Sequence, residues 1–401
     1  MKLKYQHTIV ACFAGYVVQA IINNFVPLLF VTFQTTYQIP LSRITLLVTI
    51  NFCVQLLVDL LSAKFVDKIG YRVSIVLAHV FSAAGLLLLT VLPEIMDPFA
   101  GILLSVIIYA IGGGIIEVLI SPIMESCPTD NKEKAMSLLH SFYCWGHVGV
   151  VLLSTLFFRF AGIENWRILA IIWALLPVVN GIIFCKTPIA PLISSEEKGM
   201  SIGELLRNKL FWLLFLMMLC AGASEQAVSQ WASAFAEQGL QISKTAGDLA
   251  GPMAFAVLMG VSRAVYGKFG DKLDLNRFML GSSVLCMIAY LLVTLVPSPV
   301  VNLVGCGLTG LSVGIMWPGT FSKAASTLRS GGTAMFALLA LAGDLGCSGG
   351  PTLVGMVTNF AGGNMKTGIL AAVIFPLLMT LCLLRGRRKT AIPATGTSQK
   401  K

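Results

Sequence analysis

Of 401 residues, 56% are apolar and 11% are charged, against about 25% charged in an ordinary soluble domain, so there is too little polar surface to cover a water-soluble globule. The net charge of +10 would suit a nucleic-acid partner, but the placement of the basic residues along the chain, described below, excludes that reading. The ten cysteines, Cys53, Cys220 and Cys306 among them, are scattered singly with no CxxC pair and no histidine at ligand spacing, so they read as small apolar residues rather than metal ligands.

The apolar residues fall in runs of about 20 or more, the length an α-helix needs to cross roughly 30 Å of hydrocarbon. The first run, from about Thr8 to Phe33, is too long for a signal sequence and has no clear small-residue cleavage site, so it reads as a span. The pattern predicts six spans at 7–33, 43–63, 73–92, 99–126, 135–159 and 166–185. A polar stretch at 186–208, with Pro188, Pro191, Ser194, Ser195, Glu196, Glu197 and Lys198, reads as a cytoplasmic linker. Six more spans are predicted at 209–236, 247–267, 275–296, 300–327, 332–360 and 364–384, before a disordered cytoplasmic tail at 386–401. With both termini inside, 22 of the 28 Lys and Arg fall on one side of the membrane. That is the positive-inside signature, so the charge describes topology in a cell (inner) membrane.

Two charged turns between apolar runs echo each other. Ala63-Lys64-Phe65-Val66-Asp67-Lys68-Ile69-Gly70-Tyr71-Arg72 is followed 204 positions later by Gly267-Lys268-Phe269-Gly270-Asp271-Lys272-Leu273-Asp274. At an offset of 200, Gly114-Ile115-Ile116-Glu117 aligns with Gly314-Ile315-Met316-Trp317, and Phe160-Ala161-Gly162 with Phe360-Ala361-Gly362. The expected fold is therefore an all-α membrane protein, twelve transmembrane helices in two pseudo-symmetric six-helix bundles at 1–185 and 209–385, related as parallel repeats.

Twelve spans in two halves, with the hinge after the second span and again after the eighth, resemble the major facilitator superfamily. The first hinge fits that superfamily's loop motif at Asp67, Lys68, Gly70 and Arg72, with Ala63 where glycine is usual; the second keeps Gly267, Asp271 and Lys272. The resemblance implies that Asp67 latches one conformational state, and Lys68, Arg72 and Asp271 are expected to join it in gating. The run Gly112 to Glu117 leading to Ser121-Pro122, then Leu138-Leu139-His140-Ser141-Phe142 and Gly146, is similar to the L-fucose/proton symporter branch, as are Gly222 to Glu225 through Trp231 and the pair Trp317-Pro318. In that branch an acid on the fourth span is a proton or sugar site, which implies such a role for Glu117; the branch's first-span carboxylate is replaced here by Asn23 or Asn24.

Ionisable residues are costly within the bilayer, so those that persist face a cavity or a partner. Glu117, Glu225, Asp344, Asp59 and Arg263 all lie within predicted spans. Glu117 follows three glycines that let a neighbouring helix approach, and is expected to load and release a proton or hold solute; a structural hydrogen bond is the alternative. Glu225 with Gln226, Gln230 and Trp231 offers acceptors, amide donors and an aromatic face to a hydroxylated ligand. Asn23 and Asn24 suit sugar hydroxyls, and Trp317, the repeat partner of Glu117, is placed to stack on a sugar ring. Asp59 and Arg263, equivalent by the repeat, read as gate or structural ion pairs; Asp344 reads as a second protonation site or a partner for Arg263. His140 and His147 share a helical face, and His140 is the candidate proton relay.

Gly305-Cys306-Gly307-Leu308-Thr309-Gly310 satisfies GxGxxG but follows no strand, so it reads as a helix-packing surface. No Walker A sequence and no metal or Ser/His/Asp constellation is present, so the expectation is a transporter rather than an enzyme, without cofactor. It is expected to act as a monomer, rocking around a midplane site and carrying a small polar solute, a monosaccharide, in symport with a proton. The rival readings are an exporter of amphipathic compounds or a lipid carrier, and a non-transporting receptor on the same fold.

Overall fold

A chain in hydrocarbon has no solvent partner for its amides, so an apolar run closes its hydrogen bonds internally as a helix. The computed structural model describes residues 4–128, 132–189, 200–269, 273–328 and 331–390, and among them there are helices and no strand. In chain order the long helices are α1 (Tyr5–Tyr37), α2 (Leu41–Ile69), α3 (Tyr71–Ile95), α4 (Pro98–Ser126), α5 (Lys132–Ala161), α6 (Trp166–Lys186), α7 (Lys209–Gly239), α8 (Lys244–Tyr266), α9 (Leu275–Leu295), α10 (Pro299–Ala324), α11 (Gly332–Phe360) and α12 (Met365–Arg385). Among the described residues, 11 stretches are long and apolar enough to span a membrane.

Side-chain caps fix several starts. The Asp97 carboxylate accepts from Ala100 N (2.9 Å) at α4, Asn208 from Leu210 N (2.8 Å) at α7, and Asp274 from Arg277 N (2.7 Å) at α9. Each satisfies an amide that the first helical turn leaves without a partner. In the linker a short helix, Ile202–Arg207, starts with a reciprocal cap between Ser201 and Glu204. Gly162 and Gly362, equivalent at the offset of 200, both have positive φ (+88° and +67°), so the repeat extends to the turns that follow α5 and α11.

The sequence pattern predicts unbroken spans, and the structure corrects this in five of them. α1 narrows to a 3₁₀ turn at Val26–Leu29 around Pro27; α7 breaks at Gln230 and Trp231 and ends in a π turn at Phe235–Gly239; α8 has a π turn at Leu249–Met253 around Pro252; α10 breaks at Gly314 and Ile315; and α12 breaks at Ala372 and Val373. Proline supplies no N–H to the ladder, which explains Pro27 and Pro252. Apolar periodicity carries no sign of such breaks.

The packing partners also repeat. α1 packs on α4, α5 and α6, α2 on α4, and α3 on α4 and α6; α7 packs on α10, α11 and α12, α8 on α10, and α9 on α10 and α12. The first six helices meet the second six through α2 with α11 and α5 with α8. Glycines bring backbones together: a Cβ on Gly346 would lie 2.0 Å from the Leu219 carbonyl oxygen, one on Gly310 2.1 Å from that of Phe255, and one on Gly222 2.2 Å from that of Gly343. The GxGxxG run is thus part of the α8–α10 contact.

Candidate functional site

The three glycines before Glu117 do what small residues do between membrane helices. Gly112 faces the Ala78 carbonyl of α3, Gly113 faces the side chains of Gln19 and Gln55, and Gly114 sits on the Gln55 carbonyl of α2. Glu117 is thereby brought against α1, where Gln19 Nε2 donates to its Oε2 at 3.1 Å.

From Glu117 a chain of amides runs across the molecule. Gln19 Nε2 also donates to Gln55 Oε1 (2.8 Å), and Gln55 Nε2 donates to Asn23 Oδ1 (2.9 Å), with Asn51 Nδ2 at 3.3 Å. The Asn23 carbonyl then accepts from Gln230 Nε2 of α7 (3.1 Å), which also donates to Gln226 Oε1 (3.0 Å). Gln226 reaches Glu225 Oε1 at 3.4 Å, and Glu225 Oε2 pairs with Arg263 of α8 at 3.5 Å. Arg263 is held further by the Gly314 carbonyl (3.3 Å), exposed by the break in α10, and by Cys144 Sγ of α5 (3.1 Å). Asn24 is turned away, donating to the Ala20 carbonyl of its own helix.

The pairing of the remaining acids differs from what their positions imply. Arg263 takes Glu225, not Asp344. Asp344 of α11 instead faces Asp59 of α2, and Asp59 Oδ1 and Asp344 Oδ2 find no hydrogen-bond partner among the described residues.

Trp317 lies against α11, its ring where a Cβ on Gly343 would be (2.1 Å), and edge-on to Phe321. Trp231 does not face an open space: it is 1% exposed, donates Nε1 to the Pro351 carbonyl (2.9 Å) and packs on Phe30. His140 is exposed and tilted against Tyr16 at 5.3 Å, and His147 is buried beside Phe255. Arg72 donates to the Phe184 and Cys185 carbonyls (3.0 and 2.9 Å), tying the start of α3 to the end of α6. The side chains of Asp67 and Lys68, and all of Asp271, lie outside the described residues.

Access differs along the chain of polar groups. Asn23, Gln230 and Trp231 are buried, whereas Glu117, Asp59, Arg263 and Trp317 are half-buried and His140 is exposed. Away from the N-terminus, the first and second six helices are closed by Phe30 on Trp231, by Thr49 on Thr352, by Thr45 against Gly355, and by Thr155 donating to Asp248 (3.4 Å). Asp248 is 1% exposed and pairs with Lys244 (3.0 Å) and Ser233. This closure went unread in the sequence, because Lys244 and Asp248 sit at a span end where a charged pair looks like a solvated loop. Gln55 and Tyr143, which faces the Asn23 and Asn24 amides, also escaped; an intramembrane amide on the second run was the available signal for Gln55.

Residues 9–351 match the sequence profile of the Major Facilitator Superfamily. The chain belongs to that superfamily. It is a multi-pass membrane transporter, not an enzyme. Among curated proteins, "Membrane protein MosC" of Rhizobium meliloti is 24% identical over 298 residues, 73% of this chain and 69% of that protein. Among solved structures, a bacterial homologue of the human lysosomal transporter Spinster, inward-facing and occupied, has a TM-score of 0.75 at 15% identity, covering 96% of this chain and 97% of that one. A single-residue variant of the E. coli fucose:proton symporter FucP has a TM-score of 0.66 at 16% identity, covering 95% and 98%. At these identities the structures share the superfamily fold.

Proposed function

We propose that this superfamily member is a secondary active transporter that moves a small polar solute, a monosaccharide, by proton symport. The reading takes the twelve helices as two pseudo-symmetric bundles, 1–185 and 209–385, joined by the 186–208 linker and rocking about the central polar chain, with both termini and the 386–401 tail cytoplasmic. The observation that carries it is the unbroken run of amides and carboxyls from Glu117 to Glu225 across the interface of the first and second six helices. Amides donate and accept at once, so they match sugar hydroxyls, and a site shared by both bundles is one that rocking must break and remake. Asn23, Glu117, Glu225, Gln226, Gln230 and Trp317 are assigned to solute, Asn24 and Trp231 being turned elsewhere; the protons are assigned to Glu117, Asp344 and His140. Asp59, Asp67, Lys68, Arg72, Arg263 and Asp271 are assigned to gating. The fucose:proton symporter's fold likeness supports the substrate class.

Purified protein is screened for thermal shift against sugars, polyols, organic acids and amphipathic drugs, since a ligand of the folded state raises its melting temperature. A sugar shift lost in Trp317→Ala supports the reading. In vesicles, Glu117→Gln is expected to abolish proton-driven accumulation while leaving counterflow; wild-type pH dependence in that variant sinks the assignment. The second reading is an exporter of amphipathic compounds or a lipid carrier. Shifts with amphipathic compounds alone would select it.

A further inference from the structure

The end of the molecule away from the N-terminus holds a cavity of about 500 Å³, within the 300–1,000 Å³ typical of small-molecule sites. It lies between the end of α1, which contributes Thr32 and Thr36, α5 with Thr155 and Phe158, and the junction of α7 and α8 with Glu237 and Lys244. None of the residues of the central amide chain lines it.

Its wall mixes apolar side chains, among them Val31, Ile163 and Trp166, with polar ones, and the two cations in it are each paired with acids. Arg167 is taken up by Glu94 and by the Tyr37 hydroxyl (2.7 Å). Lys244 is taken up by Asp248 (3.0 Å) and Ser233 (3.1 Å), with Glu237 at 3.9 Å, and it lies over the Phe158 ring at 5.8 Å. Beside them the lining carries the threonines Thr32, Thr36 and Thr245, the carboxylates Glu164 and Glu237, and the Phe158 and Trp166 rings. Hydroxyls donate and accept, carboxylates accept, and the cations are already paired, so such a wall suits a hydroxyl-rich molecule and disfavours an anion.

The wall is also the upper side of a closure. Lys244 and Asp248 of α8 join Ser233 of α7 and Thr155 of α5, so the same side chains line the cavity and seal the first six helices to the second. Two π turns, Phe235–Gly239 and Leu249–Met253, flank this cluster, and π turns inside helices concentrate at functional sites. A molecule in the cavity that offers an oxygen to Lys244 competes with the contacts that keep the closure shut.

We propose that this cavity is a second solute site, a vestibule that takes a hydroxyl-rich, non-anionic small molecule and presents it to the Lys244–Asp248 closure beneath. The ligand class rests on the monosaccharide reading above; the separation from the central site does not.

The experiment is Thr36→Cys, at an exposed position, labelled in intact cells with a membrane-impermeant maleimide and compared with the parent chain to subtract native cysteines. Labelling is timed with L-fucose, D-xylose, mannitol or a quaternary ammonium amphiphile, in the native background and with Gln230→Ala in the central chain. With sugar at about ten times its Kd, occupancy of the vestibule slows labelling about tenfold, the factor 1 + [L]/Kd, and equally in both backgrounds. Labelling unchanged by every polyol overturns the proposal, as does protection by the amphiphile alone or protection that disappears with Gln230→Ala. The thermal-shift screen separates the two readings: protection without a thermal shift lost in Trp317→Ala leaves the vestibule standing and removes the central sugar site, and the reverse pattern does the opposite.

Discussion

Two glutamates within the spans, Glu117 on α4 and Glu225 on α7, are treated oppositely by their surroundings. Glu225 has a guanidinium at 3.5 Å, and Arg263 is in turn held by a carbonyl that the break in α10 sets free. Glu117 has an amide donor at 3.1 Å and no cation among the described residues. The repeat supplies the reason. α10 is interrupted at Gly314-Ile315, whereas α4 runs unbroken through the equivalent Gly114-Ile115; and at the equivalent positions 59 and 263 one half carries a carboxyl and the other a guanidinium. The same backbone plan thus yields one carboxylate locked in an ion pair and one held by an amide alone. The proposed symport would use both kinds, one to hold shape or ligand and one to change charge.

Removing the cation is the strongest way to break this comparison. Arg263→Ala leaves the Glu225 carboxylate buried without a counter-ion and is expected to cost about 3 kcal/mol or more, read as a lowered unfolding temperature in detergent. Adding Glu225→Gln should recover most of that loss; equal melting of single and double variants would mean that the pair is not the stabilising unit. Next in size is the seating of α7. Gly346→Ala drives a Cβ onto the Leu219 carbonyl and is expected to cost about 1–3 kcal/mol, while Gly349→Ala, with nothing within 4 Å, should melt like the native protein. Similar effects at the two glycines would remove close packing as the support of the Glu225 site.

The bridge between the two acids is expected to be weaker. Gln230→Ala removes one hydrogen bond between the first and second six helices, about 1 kcal/mol, and should raise cysteine accessibility about fivefold on the side of α7 away from the N-terminus. No change would place the closing energy entirely in Thr155, Lys244 and Asp248. The smallest effect is at a glutamate outside the bilayer, which calibrates the other two. Glu204 accepts from the Ser201 backbone (2.7 Å) and hydroxyl (2.9 Å), and these bonds hold its carboxyl below the usual glutamate range. A lowered value stabilises the charged, folded form, so the cap is intact above the usual glutamate range and is lost as pH falls through the lowered value. Amide exchange at Ser201 should speed up over that acidic window and become pH-independent, beyond the intrinsic trend, in Glu204→Ala.

The architecture class was legible from the chain alone. Apolar runs of bilayer length admit helices and nothing else, and the echo of Phe160-Ala161-Gly162 places a repeat that reappears in the packing partners and in the positive φ of Gly162 and Gly362. Glu117, Glu225 and Arg263 were legible too, because an ionisable group in hydrocarbon is costly wherever its partner lies. Which groups pair was settled in three dimensions. Asp344 was equally suited to Arg263 or to a proton, and the packing of α2 on α11 gave it Asp59. Trp231 was suited to a ligand, and the break in α7 turned it to the Pro351 carbonyl. Hydrophobic periodicity reports the distance of a residue from lipid and is blind to direction within the bundle. The amide chain through Gln19 and Gln55, and the closure at Lys244 and Asp248, join residues on separate helices whose rotation is set by glycine contacts and helix breaks that no periodicity encodes.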